Sequence, residues 1–73
     1  MMISYEALGN TFKFLYQYQK AIVCYKKQIE IAWLLGNKNS ELRAYDNIGI
    51  QYFYLQNREK AKYYHERQNL LFK

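Results

Sequence analysis

The stretch Ala44-Tyr45-Asp46-Asn47-Ile48-Gly49-Ile50-Gln51-Tyr52-Phe53-Tyr54-Leu55-Gln56-Asn57-Arg58-Glu59-Lys60-Ala61-Lys62-Tyr63-Tyr64-His65 decides the fold. It reads as two helices meeting at a tight turn. Its marks are Tyr45, Ile48-Gly49, Tyr52, Leu55 and Ala61. A weaker copy lies upstream in Tyr5, Leu8-Gly9, Phe12, Leu15 and Ala21. Gly9 and Gly49 are forty residues apart. At the same offset Tyr5/Tyr45, Leu15/Leu55, Lys20/Lys60, Ala21/Ala61 and Gln28/Gln68 are identical, and Leu8/Ile48, Phe12/Tyr52, Phe14/Tyr54 and Glu6/Asp46 are conservative. A fixed period in this range is the signature of stacked repeats.

The rest of the chain is consistent with this. Seventy-three residues make one small domain, with little surface to bury. There is no proline, so the strongest helix breaker is missing. Cys24 is the single cysteine, which rules out an internal disulfide and fits a reducing compartment. No apolar run approaches the roughly 20 residues of a membrane span. Met1 to Glu6 lacks the pattern of a secretory signal, and a cytoplasmic setting is expected. The net charge of +5 admits acidic partners, but Lys20, Lys26, Lys27, Lys60, Lys62 and Arg67 are spread over helix surfaces.

In chain order, a first helix is expected from about Ser4 to Tyr18, with Ser4 as N-cap. Ile3, Ala7, Leu8, Phe12 and Leu15 share its apolar face. Gly9, inside this helix, costs about 1 kcal/mol against alanine, offset by close approach of a neighbour. After a turn near Gln17 to Gln19, a second helix runs from about Lys20 to Leu35. Ala21, Tyr25, Gln28 and Ala32 form one stripe; Ile22, Ile29 and Trp33 form another. Gly36 is a natural stop. Asn39 or Ser40 should cap a third helix over about 41–55, with Glu41 in its first turn. Leu42, Tyr45, Ile48, Gly49, Tyr52 and Leu55 make its buried face. A fourth helix over about 58–72 follows, with Ala61, His65, Gln68 and Phe72 on one side. Short links make consecutive helices antiparallel neighbours. The expected fold is all-α: one hairpin over 3–36, a loop over 37–39, and a second hairpin over 40–73.

These residues resemble the tetratricopeptide repeat family over nearly the whole chain. The first copy supplies Tyr5, Leu8-Gly9, Phe12, Ala21 and Tyr25, and the second Tyr45, Ile48-Gly49, Tyr52 and Ala61. Gln28 and Gln68 depart from the family's alanine, and His65 stands at an aromatic position. The period of forty and the run from Ala32 to Gly49 resemble a subclass that includes polarity and spindle-orientation adaptors and ciliary or cytoskeletal repeat proteins. The resemblance implies an α-solenoid scaffold that binds a peptide or protein segment in a concave groove. It maps the groove onto Glu6, Asn10, Lys13 and Phe14, then Arg43, Asp46, Asn47, Ile50, Phe53 and Tyr54. Asn47 would hold a ligand backbone and Arg43 a ligand carboxylate, roles that suit an amide and a guanidinium.

No catalytic, cofactor or metal site is expected. There is no phosphate loop, paired-acid motif or nucleophile elbow. His65 and Cys24 are single, whereas zinc takes three or four clustered ligands. Tyr16, Tyr18, Tyr52, Tyr54, Tyr63 and Tyr64 serve either as contact surface or as packing between helices. The expected function is a non-catalytic protein-interaction module. One alternative is a structural subunit docked in a larger cytoskeletal or ciliary assembly; a weaker one is nucleic-acid binding through the basic surface. Repeat arrays usually need about three units, so a longer array, an oligomer or a larger assembly is expected around the exposed Leu70, Leu71 and Phe72.

Overall fold

The computed structural model describes residues 4–72, with side chains as far as Leu70. Ile3 and Phe72, both expected on apolar helix faces, therefore lie outside what is described of side chains. Four helices follow one another: α1 (Tyr5–Phe14), α2 (Tyr18–Leu35), α3 (Lys38–Tyr54) and α4 (Arg58–Phe72). Each packs on the next, giving two antiparallel hairpins joined through α2 and α3. The result is an all-α slab of 34 × 32 × 13 Å.

Side chains cap the starts of α1, α3 and α4, whereas Gln17 makes no side-chain cap at α2. Ser4 Oγ accepts from the Ala7 N–H, as its position suggested. At α3 the cap is Asn37, whose side chain accepts from the Ser40 N–H. Asn39 and Ser40, expected to cap this helix, instead lie within its first turn. Asn57 repeats the device at α4 through the Lys60 N–H.

The ends of three helices share one geometry. After α1 the Tyr16 N–H reaches the Lys13 carbonyl and the Gln17 N–H reaches that of Phe12. After α3 the Gln56 and Asn57 N–H groups reach Phe53 and Tyr52 in the same way. After α2, Gly36 and Asn37 reach Trp33 and Ala32. This turn needs a left-handed residue. Gly36 takes it freely, but Tyr16 and Gln56 hold it at φ 60° and 61°. Helix α1 therefore stops at Phe14, not at Tyr18. The turn falls on residues 15–17 and α2 begins earlier, at Tyr18.

The core is where the hairpins meet. Ala21, Ile22, Tyr25 and Ile29 of α2 are buried with Ala44, Tyr45, Ile48 and Tyr52 of α3 and Ala61 of α4. Phe12, Leu55 and Tyr64 pack against this cluster. The two mid-helix glycines do what close packing asks of them. A Cβ on Gly9 would lie 2.6 Å from the Tyr25 ring, and one on Gly49 would lie 2.6 Å from His65 Nε2. Trp33, expected in a buried stripe, is 59% exposed.

Candidate functional site

The spacing of Glu6, Asn10 and Lys13 puts them on one stripe of α1, and Arg43, Asn47, Ile50 and Tyr54 recur likewise on α3. The fold brings these two stripes side by side. At one end Arg43 Nε bonds Glu6 Oε2 at 3.2 Å. At the other, Lys13 and Phe14 of α1 border a hollow of about 410 Å³ with Ile50 and Tyr54 of α3 and with Tyr16 and Tyr18. Asp46 and Asn47 are half-buried between the two ends.

The polar residues of this face are partly engaged. The Tyr25 hydroxyl, arriving from α2, donates to Asn10 Oδ1. Glu6 Oε2 accepts from Arg43 and also from Gln28 Nε2 at 3.3 Å. Gln28 Nε2 further donates to the Ser40 carbonyl and hydroxyl, tying the face to the start of α3. Arg43 is thus oriented by Glu6 while its side chain stays 63% exposed. Burial, then the Glu6 carboxylate and Cys24, push the Tyr25 phenol up to about 12, so it stays a donor to Asn10 across the neutral range. Burial likewise raises the Cys24 thiol, which makes it a poor nucleophile. Among the described residues no group of three or more His, Cys, Asp or Glu is placed to hold a metal ion. None of the described helices is long and apolar enough to cross a membrane.

A second polar centre, on the opposite face between α2 and α4, escaped the sequence reading. Glu41 is buried and accepts from Trp33 Nε1 at 2.7 Å and from the Tyr45 hydroxyl at 2.6 Å. Arg67 lies 5.8 Å from the Tyr45 ring and 5.9 Å from that of Tyr63. Burial raises the Tyr45 phenol, and its bond to Glu41 adds to this while Arg67 opposes it. Trp33 can therefore stay exposed while its N–H is satisfied inside. A hollow of about 210 Å³ opens between these residues and Lys26, Glu30 and Tyr64. Spacing along one helix could not show it, because its parts come from α2, α3 and α4.

Two buried glutamines have unpaired amide atoms. Gln28 Oε1 has no protein partner, and neither does either end of the fully buried Gln51 amide. Comparison with protein-family models, curated proteins and solved structures gives no match for this chain.

Proposed function

We propose that this chain is a non-catalytic protein-interaction module of the tetratricopeptide-repeat type, which holds a peptide or protein segment along the α1–α3 face. The observation that carries the reading is the register of α1 against α3. In its support, the Glu6–Arg43 pair joins the two helices at one end and Lys13, Ile50 and Tyr54 share a hollow at the other, with Asn10 and Asn47 on the turns between. Half-buried amides and an arginine held at its Nε suit an extended backbone and its carboxylates. Glu41, on the other face, is engaged with Trp33 and Tyr45, which leaves it poorly placed for chemistry. A cytoplasmic adaptor, within a cytoskeletal or ciliary assembly or a longer repeat array, is the setting this reading favours.

The paired variant Arg43→Ala with Asn47→Ala tests it. Peptide binding should fall about tenfold or more with helicity retained. Full binding by the variant would remove the α1–α3 face from the account. A second reading has its own observation. Trp33 and Tyr63 are exposed beside the α2–α4 hollow, as a docking surface on a large structural assembly would need. Docking of that kind survives the Arg43/Asn47 change and is lost with Tyr63→Ala.

A further inference from the structure

The turn-side end of the α1–α3 face is rich in aromatic rings. Four rings follow one another in contact. Tyr16 meets Tyr18 edge-on at 6.4 Å, Tyr18 stacks on Tyr54 at 5.2 Å, and Phe53 meets Tyr54 edge-on at 6.3 Å. Phe14 joins them, 76% exposed, with the Lys13 ammonium 5.3 Å from its centroid. A second hollow, lined by Phe53, Tyr54, Gln56 and Arg58, adjoins the first at Tyr54. Together the linings contain two cations, Lys13 and Arg58, and no carboxylate.

That charge is what distinguishes this patch from the other aromatic surface. Around the α2–α4 hollow, Lys26 and Arg67 stand with Glu30, and Glu41 lies beneath Tyr45. There the positive charge is answered from within. At the turn-side end it is not, and complementarity calls for carboxylates on the partner. The rings call for an apolar group. Exposed tyrosine and phenylalanine in a row offer what proline-rich and aromatic-anchored segments dock against. A nucleobase would need a free ring face to stack on. Here Tyr18 and Tyr54 stack on each other, which takes one face of each ring from a nucleobase.

We infer that the partner at this end is an acidic peptide segment anchored by a ring, proline or aromatic, with its carboxylates on Lys13 and Arg58. The inference rests on the peptide-binding reading above and supplies the chemistry of its ligand.

The test is selection from a random library of short displayed peptides on the full chain, followed by affinity measurements on two variant pairs. Lys13→Gln with Arg58→Gln removes the charge; Phe14→Ala with Tyr54→Ala removes exposed rings. All four sites are at least partly exposed, and circular dichroism checks that helicity is kept. The expected result is enrichment of acidic, ring-bearing peptides whose affinity falls about tenfold in each pair and falls again as salt is raised. Enrichment of peptides without acidic residues would overturn the inference. So would peptides indifferent to both pairs but lost with Arg43→Ala and Asn47→Ala, while leaving the peptide-binding reading intact. Failure to enrich any peptide would overturn both. A single-stranded oligodeoxythymidylate that binds more tightly than every selected peptide would replace the inference with nucleic-acid binding.

Discussion

The two hairpins carry one pattern and use it differently. In the first, Gly9 lets the Tyr25 ring of α2 lie against α1, and Tyr25 is fully buried. In the second, Gly49 stands in the same relation to His65, which is exposed. Ile22 and Ile29 of α2 are buried, whereas Lys62 and Asn69, forty residues on, are exposed on α4. Likewise Ala44, Ile48 and Gln51 of α3 are buried, while Ser4, the cap of α1, and Thr11 within it are exposed and Leu8 is half-buried. Helices α2 and α3 each pack closely on two neighbours, and α1 and α4 on one. A repeat position thus fixes where a side chain points, while the neighbour fixes what it is worth.

Paired substitutions at the forty-residue offset can break or sharpen this contrast. The largest effect should come from Tyr25→Ala, which empties a fully buried ring site and removes the donor to Asn10; we expect a loss of about 3–5 kcal/mol. His65→Ala should change stability by less than about 0.5 kcal/mol. Denaturant unfolding of the two variants measures both, and equal losses would end the distinction. Next, Gly9→Ala should destabilise by about 1–3 kcal/mol, because its Cβ meets a ring that cannot withdraw. At Gly49 the obstacle is the far end of an exposed histidine. That side chain can swing aside, so Gly49→Ala should be neutral, or stabilising by up to about 1 kcal/mol through helix propensity. Thermal melts showing the same sign at both glycines would contradict the account.

Gln51 and Thr11 make the third pair. Gln51→Leu replaces an unpartnered buried amide with an apolar group of similar size and should stabilise by about 1 kcal/mol. Thr11→Leu, on an exposed site, should change stability by less than about 0.5 kcal/mol. Chemical denaturation showing Gln51→Leu to be destabilising would mean that the amide is satisfied in solution. The smallest effect is a matter of pH. The folded chain holds the Tyr25 proton up to about 12, whereas an ordinary tyrosine loses it near 10. Below 10 the stabilising contribution is complete, and it declines as pH climbs from 10 towards 12. Melts across this alkaline range should show that decline, and Tyr25→Phe should lessen it.

Much of this was legible along the chain, for a physical reason. The forty-residue period, the Gly36 stop and the span of α4 are local or periodic signals, and they translate directly into helices and buried stripes. The end of α1 was not legible, because Tyr16 and Gln56 occupy a left-handed position that sequence reading assigns to glycine. The cap at Asn37 was hidden among neighbouring residues of equal capping ability. Asn10, Lys13, Asn47, Ile50 and Tyr54 were grouped in advance by the resemblance to tetratricopeptide repeats. What they touch was not legible. The Glu6–Arg43 pair, the Tyr25 bond to Asn10 and the Trp33–Glu41–Tyr45 centre each depend on how one helix lies against another. The aromatic row likewise exists because the turn after α1 brings Tyr18 under Tyr54.

The most direct measurement of the central claim is an amide chemical-shift map of the isotope-labelled chain, titrated with the acidic, ring-bearing peptide that selection returns. Binding along the α1–α3 face predicts the largest shifts at Lys13, Phe14, Asn47, Ile50, Tyr54 and Arg58, with the α2–α4 face unchanged. Shifts centred on Trp33, Tyr63 and Arg67, or no shifts at saturating peptide, would contradict it.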